Sequence, residues 1–399
     1  MKKPLRIAFS HTRLDSAGGV EGYIANLLRY LLDRGHSVDF FAGKILLDLK
    51  HPGLRVFRVP YIRTPRPARV ASFALLSHRC IAREEKKHPY DIIQGFSRTY
   101  YHTLYRDGSG CRRDYCELYL DRLTRSGLRR LYYKLNPIDR LVRQIENIRY
   151  VKRPQTMIIA ISDFVREQIL RRYDVAPESV RVVYSGVDCD RFHPGLRETG
   201  RRKVAALFPE GTGGENRRYL AFVGNDYHRK GLDLVLEALA SRFKEPRPGE
   251  PSLHAFVAGR DSRAASYERR AAALGLGGRV RFLGQRSDIP ELLAGSDALL
   301  FPTYFDAYGN IANEALASGI PVIASRTSGA AELIRPEHGW VLAETDAQHL
   351  ARALEELCNI GDLEPTRQAA REAALALSWD RHYGDLEKIY RELADRRRS

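Results

Sequence analysis

Cysteine is scarce: Cys80, Cys111, Cys116, Cys189 and Cys358 are the five in 399 residues. Their number is odd and they lack metal-finger spacing, so they read as the reduced thiols of a cytosolic protein. Long apolar runs are missing as well. No stretch of about eighteen apolar residues exists to span a bilayer. Met1-Lys2-Lys3-Pro4 passes straight into a strand pattern, so no cleavable leader is expected.

The length exceeds what one hydrophobic core usually serves and suits two domains of Rossmann size. A hydrophobic content of 44% is ordinary for a folded chain. Charge is not ordinary: the formal net charge is +16. Residues 1–185 hold 35 Lys/Arg against 18 Asp/Glu, whereas residues 186–399 hold 30 against 31. The whole surplus lies in the first half. That half is expected to face something acidic, whether a membrane surface, a phosphorylated glycan or nucleic acid.

The densest pattern is 301–334, FPTYFDAYGNIANEALASGIPVIASRTSGAAELI. An apolar strand ending at Phe301 enters a loop, then a helix, then a strand from Pro321 to Ala324, which is one unit of a parallel α/β sheet. Asp306 precedes the helix and Glu314 lies inside it. Between them Gly309, Asn310 and Ile311 offer backbone N–H groups at the helix start, where a phosphate is stabilised. Either acid alone would pass for a turn residue or a solvated helix position.

A second pattern, GNDYHRKG (224–231), separates the strand 219–223 from the helix 232–242. Arg229 and Lys230 stand where cations and N–H groups can converge on a diphosphate. In isolation that pair would be a solvated turn. Gly224 opens the turn. Arg260 and Arg286 follow the strands 254–258 and 280–283, on the sheet edge where a nucleotide base would rest. Near the start, Gly18-Gly19 joins a buried strand to a helix and lets the backbone approach a ligand, although most such turns only connect elements.

Together these residues resemble the family 4 retaining glycosyltransferases, α/β proteins of GT-B fold with two Rossmann-like domains facing each other across a cleft. Their acidic-x7-acidic motif usually opens with Glu; here Asp306 is one methylene shorter. SGVDCDRFHP (185–194) is similar to the family's crossover between domains. GNDYHRKGLDLVLEALA and DAYGNIANEALASGIPVIAS look most like the bacterial hexosyltransferases of lipopolysaccharide core. The resemblance implies an acceptor-binding domain over 1–185, a nucleotide-sugar domain over 186–375, and a final helix, 376–399, crossing back. Residues 195–216 read as linker. It also implies a UDP-sugar donor, UDP-glucose foremost, retention of anomeric configuration, and neither cofactor nor metal. The one D-x-D, Asp188-Cys189-Asp190, falls in the crossover motif. By the same resemblance Arg229, Lys230 and the Asn310 helix start neutralise the leaving diphosphate. Glu314 binds ribose hydroxyls, Asp306 binds donor-sugar hydroxyls, and Asp107 sits near the reaction centre. Asp107 also suits the plainer role of capping a turn at a strand end.

Residues 111–153 carry twelve Lys/Arg and five Asp/Glu on an apolar helical stripe interrupted at Asn136-Pro137. Tyr115, Tyr119, Tyr132 and Tyr133 beside these arginines suit an interfacial helix on an anionic membrane. The expected partners are thus a nucleotide sugar, a lipid-linked anionic glycan such as lipopolysaccharide core or another envelope or capsule glycan, and the inner membrane face. A sugar-nucleotide epimerase would have no use for the basic first half. A nucleic-acid binder would leave both motifs without a purpose.

Overall fold

The computed structural model describes residues 3–15, 19–120, 135–152, 156–208, 216–244 and 249–398. The chain forms two compact units, Met1–Tyr184 with Asp380–Ser399, and Ser185–Trp379.

Unit 1 is built on strands β1 (Arg6–Leu14), β2 (Ser37–Ile45), β3 (Leu54–Arg58), β4 (Ile92–Gly95), β5 (Leu104–Asp107), β6 (Met157–Ala160) and β7 (Val180–Val182). They pair in parallel as one sheet, in the order β3-β2-β1-β4-β5-β6-β7. Ile7, Ala8 and Phe9 of β1 are all fully buried, because helices cover both faces of a parallel sheet and leave no side for water. Strand order departs in two directions from β1, so the loops after β1 and β4 diverge and open a crevice at their carboxyl ends.

Unit 2 repeats the plan with β8 (Arg217–Val223), β9 (Ser252–Ala258), β10 (Val280–Gly284), β11 (Ala298–Phe301), β12 (Val322–Ser325) and β13 (Gly339–Leu342). These parallel strands are ordered β10-β9-β8-β11-β12-β13. Its switch point lies between β8 and β11. That single topological fact sets the turn 224–231 beside the loop 302–309.

Behind the sheet, Asp297 is 1% exposed and accepts from Arg201 at 2.6 Å, Arg367 at 2.8 Å and the Tyr219 N–H at 2.7 Å. A buried carboxylate persists only with such partners. Residues 195–208 are not the linker expected from their composition. They hold a helix, Arg197–Ala205, in which a Cβ at Gly200 would lie 2.0 Å from the Glu291 carbonyl oxygen. The glycine serves a close helix approach, which composition does not separate from flexibility.

Where the segment 111–153 is described, its apolar stripe packs inward. Ile138, Val142 and Ile145 of the helix Pro137–Tyr150 are buried, as is Tyr119. Arg112 pairs with Asp139 at 2.7 Å, and the buried Arg149 guanidinium lies 3.5 Å from the Tyr105 ring centroid. Packing on the sheet claims this stripe. Tyr132, Tyr133, Arg122, Arg125, Arg129, Arg130 and Lys134 lie outside the described residues. Among the described residues, no helix is long and apolar enough to cross a membrane.

From Asp380 onward the last helix, Trp379–Arg398, belongs to unit 1. His382 meets the Tyr23 hydroxyl at 3.0 Å, Tyr390 donates to Gln94, and Leu386 is 1% exposed. Leu386→Ala is therefore expected to cost about 2 to 5 kcal/mol, the usual toll of a fully buried leucine. Urea unfolding measures it, and a loss below about 1 kcal/mol would mean the helix contributes little to unit 1.

Candidate functional site

The sequence motifs of unit 2 meet at the switch point. β8 ends in the turn 224–231, and β11 ends in the loop that carries Asp306. Lys230 Nζ donates to Asp306 Oδ2 at 2.6 Å, and Arg229 donates to the same oxygen at 3.0 Å and to the Phe305 carbonyl at 2.9 Å. The Tyr308 N–H reaches Asp306 Oδ1 at 3.2 Å. Burial would raise the Asp306 pKa, but the charges of Lys230 and then Arg229 outweigh it and hold the group at about 2. Burial in turn draws the Lys230 ammonium below its ordinary value against the pull of Asp306.

Glycines make this approach possible. A Cβ on Gly224 would crowd the Lys230 stem at 3.3 Å. Gly231 has φ +79°, and a Cβ there would lie 2.0 Å from the Pro302 carbonyl oxygen. No L side chain fits that corner. The Lys230 ammonium also sits 4.4 Å from the Phe301 ring centroid, so a strand-end aromatic backs the cation.

Helix Asn310–Ala317 starts from Gly309 at φ 96°, with no side-chain cap and no acid in its first turn. The N–H groups of Asn310 and Ile311 therefore belong to a positive helix terminus that no side chain caps. Glu314 lies on this helix. Burial lifts its pKa to about 7 against the attraction of Arg191. Tyr308 and Asn313 both donate to the Ser185 carbonyl at 3.2 Å, which fixes the helix entry on the crossover segment.

Other expected residues lie outside this cluster, although Arg260 and Arg286 follow β9 and β10 on the same sheet edge. Arg260 is exposed, and its backbone N–H is held by Asn225 Oδ1 at 2.7 Å. Arg286 is turned into a two-point pair with Asp288, both contacts at 2.8 Å. Neither guanidinium joins Arg229 and Lys230 on Asp306. Gly19 begins its helix with open space around it, and Gly18 lies outside the described residues. Asp107 takes its plainer role: Oδ1 accepts from the Ser109 and Gly110 N–H groups, each at 3.0 Å, and Oδ2 from Tyr150. One oxygen serves the turn and the other meets the Tyr150 hydroxyl.

Unit 1 also offers a cavity of about 620 Å³ at the carboxyl edge of β1 and β4. His11, Glu21, Lys44, Arg66, Arg69 and Arg98 are among its lining. The sequence reading missed these six. Their signal was present in the basic surplus of residues 1–185, but charge arithmetic names a half and not a side chain.

Asp306 gives this site a pH signature. Its pKa falls from 3.8 in a free carboxyl to about 2 in the folded chain, so its contribution is present above pH 3.8 and lost as pH falls through about 2. Asp306→Asn should lower the urea midpoint at pH 7 and narrow the gap to wild type progressively below about pH 4. An unchanged midpoint at pH 7 would show that the carboxylate holds nothing together.

Residues 17–191 match the family described as Glycosyltransferase Family 4, and residues 206–376 match Glycosyl transferases group 1. The lipopolysaccharide glucosyltransferase WaaG of Escherichia coli K12 is 26% identical over 392 residues, 96% of this chain and 95% of that protein. A D-inositol 3-phosphate glycosyltransferase of Geodermatophilus obscurus is 28% identical over 403 residues, 95% of this chain and 86% of that protein. The crystal structure of WaaG is similar at a TM-score of 0.75, with 24% identity over 96% of this chain and 99% of that one. With one glycosyltransferase match on each half and two parallel Rossmann-like sheets beneath them, the chain belongs to the glycosyltransferases of GT-B fold.

Proposed function

We propose that the chain moves a hexose, glucose foremost, from a UDP-sugar to a lipopolysaccharide core or a similar anionic lipid-linked glycan. In this reading the anomeric configuration is retained, no metal takes part, and the work is done at the inner face of the cytoplasmic membrane. One observation carries it: two cations converge on one acid at the β8–β11 switch point, in the loop that leads into an uncapped helix start. Such a point collects fixed positive charge where a leaving diphosphate needs it. The similarity to WaaG over nearly the whole chain supports glucose and lipopolysaccharide as donor sugar and acceptor class.

The residues divide the work by placement. Arg229 and Lys230, held in register by Asp306, meet the diphosphate, and the Asn310 and Ile311 N–H groups add to them. Asp306 Oδ1 has capacity left for a donor-sugar hydroxyl beyond its bond to the Tyr308 N–H. Glu314 accepts from the ribose. The acceptor oxygen bonds the anomeric carbon on the face from which the UDP oxygen departs, and the leaving phosphate takes the acceptor proton, which gives retention.

Lys230→Ala should lower turnover by about 100- to 1000-fold, as loss of one aimed charge stabiliser commonly does. Near-normal turnover in the folded variant would remove Lys230 from the mechanism, and activity abolished by EDTA and restored by Mg²⁺ would overturn the metal-free assignment. Proton NMR of the first product formed reads the anomeric outcome.

Glu314 yields a separate test. Hydroxyls donate best to the carboxylate, so UDP affinity should rise as pH goes from about 6 to about 8, across the raised pKa. Calorimetry with Glu314→Gln should show weaker binding and no such rise. A pH-dependent wild type with an equally pH-dependent variant assigns the proton elsewhere.

A further inference from the structure

We propose that the cavity of unit 1 is a phosphomonoester subsite, in which Lys44, Arg66, Arg69 and Arg98 hold a phosphate borne by the acceptor sugar. This deepens the transferase reading and rests on it for the word acceptor. Counter-ions supply the first argument. Several cations elsewhere in unit 1 have acids: Arg6 and Arg55 share Asp39, Arg112 has Asp139, and Arg171 and Arg172 share Asp114. Within the cavity Arg13 pairs with Asp15 at 2.6 Å, and Glu21 lies 3.8 Å from His11. Lys44, Arg66, Arg69 and Arg98 line the same cavity, and among the described residues none forms an ion pair. Four uncompensated cations repel one another. Burial, Arg112 and Arg66 all push the Arg98 pKa down, the direction that a positive local field imposes.

Helix geometry supplies the second argument. Arg66 and Arg69 occupy the first turn of the helix Arg66–Lys87, which has no acid there and no side-chain cap from Pro65. Cations at the positive end of a helix are unfavourable, and an anion between them offsets both terms. On the same wall, His11 Nδ1 and Ser97 Oγ are buried without a hydrogen-bond partner among the described residues. Buried polar atoms are normally matched by protein, water or a ligand.

Charge selects the class. A phosphomonoester carries about −1.5 to −2 at neutral pH and three acceptor oxygens. A lone carboxylate would leave most of this charge unanswered. Tyr61, Phe73, Phe96 and Tyr105 complete the wall with aromatic surface for a sugar ring.

The full chain is saturated with UDP, which fills the donor phosphate site, and titrated calorimetrically with glucose 6-phosphate and with glucose. The phosphate ester should bind at least about tenfold more tightly, the worth of a single charge-assisted hydrogen bond. Arg66 and Arg69 are exposed, so Arg66→Gln with Arg69→Gln should keep the melting temperature and UDP affinity while losing at least that tenfold. Equal affinity for the two sugars, or an unaffected double variant, overturns the proposal. A second arm uses vesicles of phosphatidic acid or phosphatidylcholine. Binding to both the soluble ester and phosphatidic acid supports the shared phosphomonoester chemistry, whereas binding to the vesicles alone overturns a sugar-phosphate subsite. Running the titration on Lys230→Ala separates the two readings: loss of UDP turnover with the ester still bound faults only the donor side, and loss of ester binding places the phosphate there.

Discussion

The bond from Lys230 to Asp306, at 2.6 Å, ties the turn after β8 to the loop after β11. An ammonium so nearly buried is costly unless paired, and removal of one partner from such a pair costs about 3 to 5 kcal/mol. Much of the surrounding sequence answers to that constraint. Gly224 makes room for the lysine stem, Gly231 turns where no Cβ fits, and Phe301 lies beneath the charge. Thr303 and Tyr304 donate to the Arg229 carbonyl at 2.9 Å, which holds the neighbouring cation in step. Asp306 thereby fixes two cations before any ligand arrives, so the charge that a leaving diphosphate would meet needs little reorganisation.

Asp297 illustrates the opposite use of the same chemistry. It too gathers arginines, yet its partners Arg201 and Arg367 close it behind the sheet, with Tyr219 N–H on the remaining lone pairs. Nothing about the residue types separates the two clusters. What separates them is position: one lies at the carboxyl edge of the strands, where loops diverge and backbone donors point outward, and the other is sealed by helices.

Unit 1 shows how far charge counting reaches. Its basic surplus is partly spent inside: Arg149 is buried over Tyr105, and Arg106 lies 4.0 Å from the Tyr23 ring centroid. Other arginines neutralise Asp39, Asp114 and Asp139. Of the cations without an ion pair among the described residues, Lys44, Arg66, Arg69 and Arg98 line one cavity, which is a sharper statement than a basic half. A helix stripe that looks amphipathic in sequence, Ile138-Val142-Ile145, turned out to be the inner face of a packed helix because the sheet offered it apolar surface.

The amino-acid sequence by itself determined the α/β class, the two-core plan and the two motifs, the 224–231 turn and the 302–309 loop, which the strand order then set side by side. Those follow from local rules: apolar runs for buried strands, glycine where a turn meets a helix, acids at a fixed interval across a helix start. It could not give the partners of Asp107, since the turn on its first oxygen is local but Tyr150, which donates to the second, is distant in sequence. Nor could it separate Arg286, pinned by Asp288, from Arg229, or find a helix in 195–208 where the glycine marks close packing. Which of the many arginines keep their charge unanswered was decided by tertiary structure alone. A cation's partner is set by the strand order that brings a carboxylate within reach, and strand order is a property of the whole sheet.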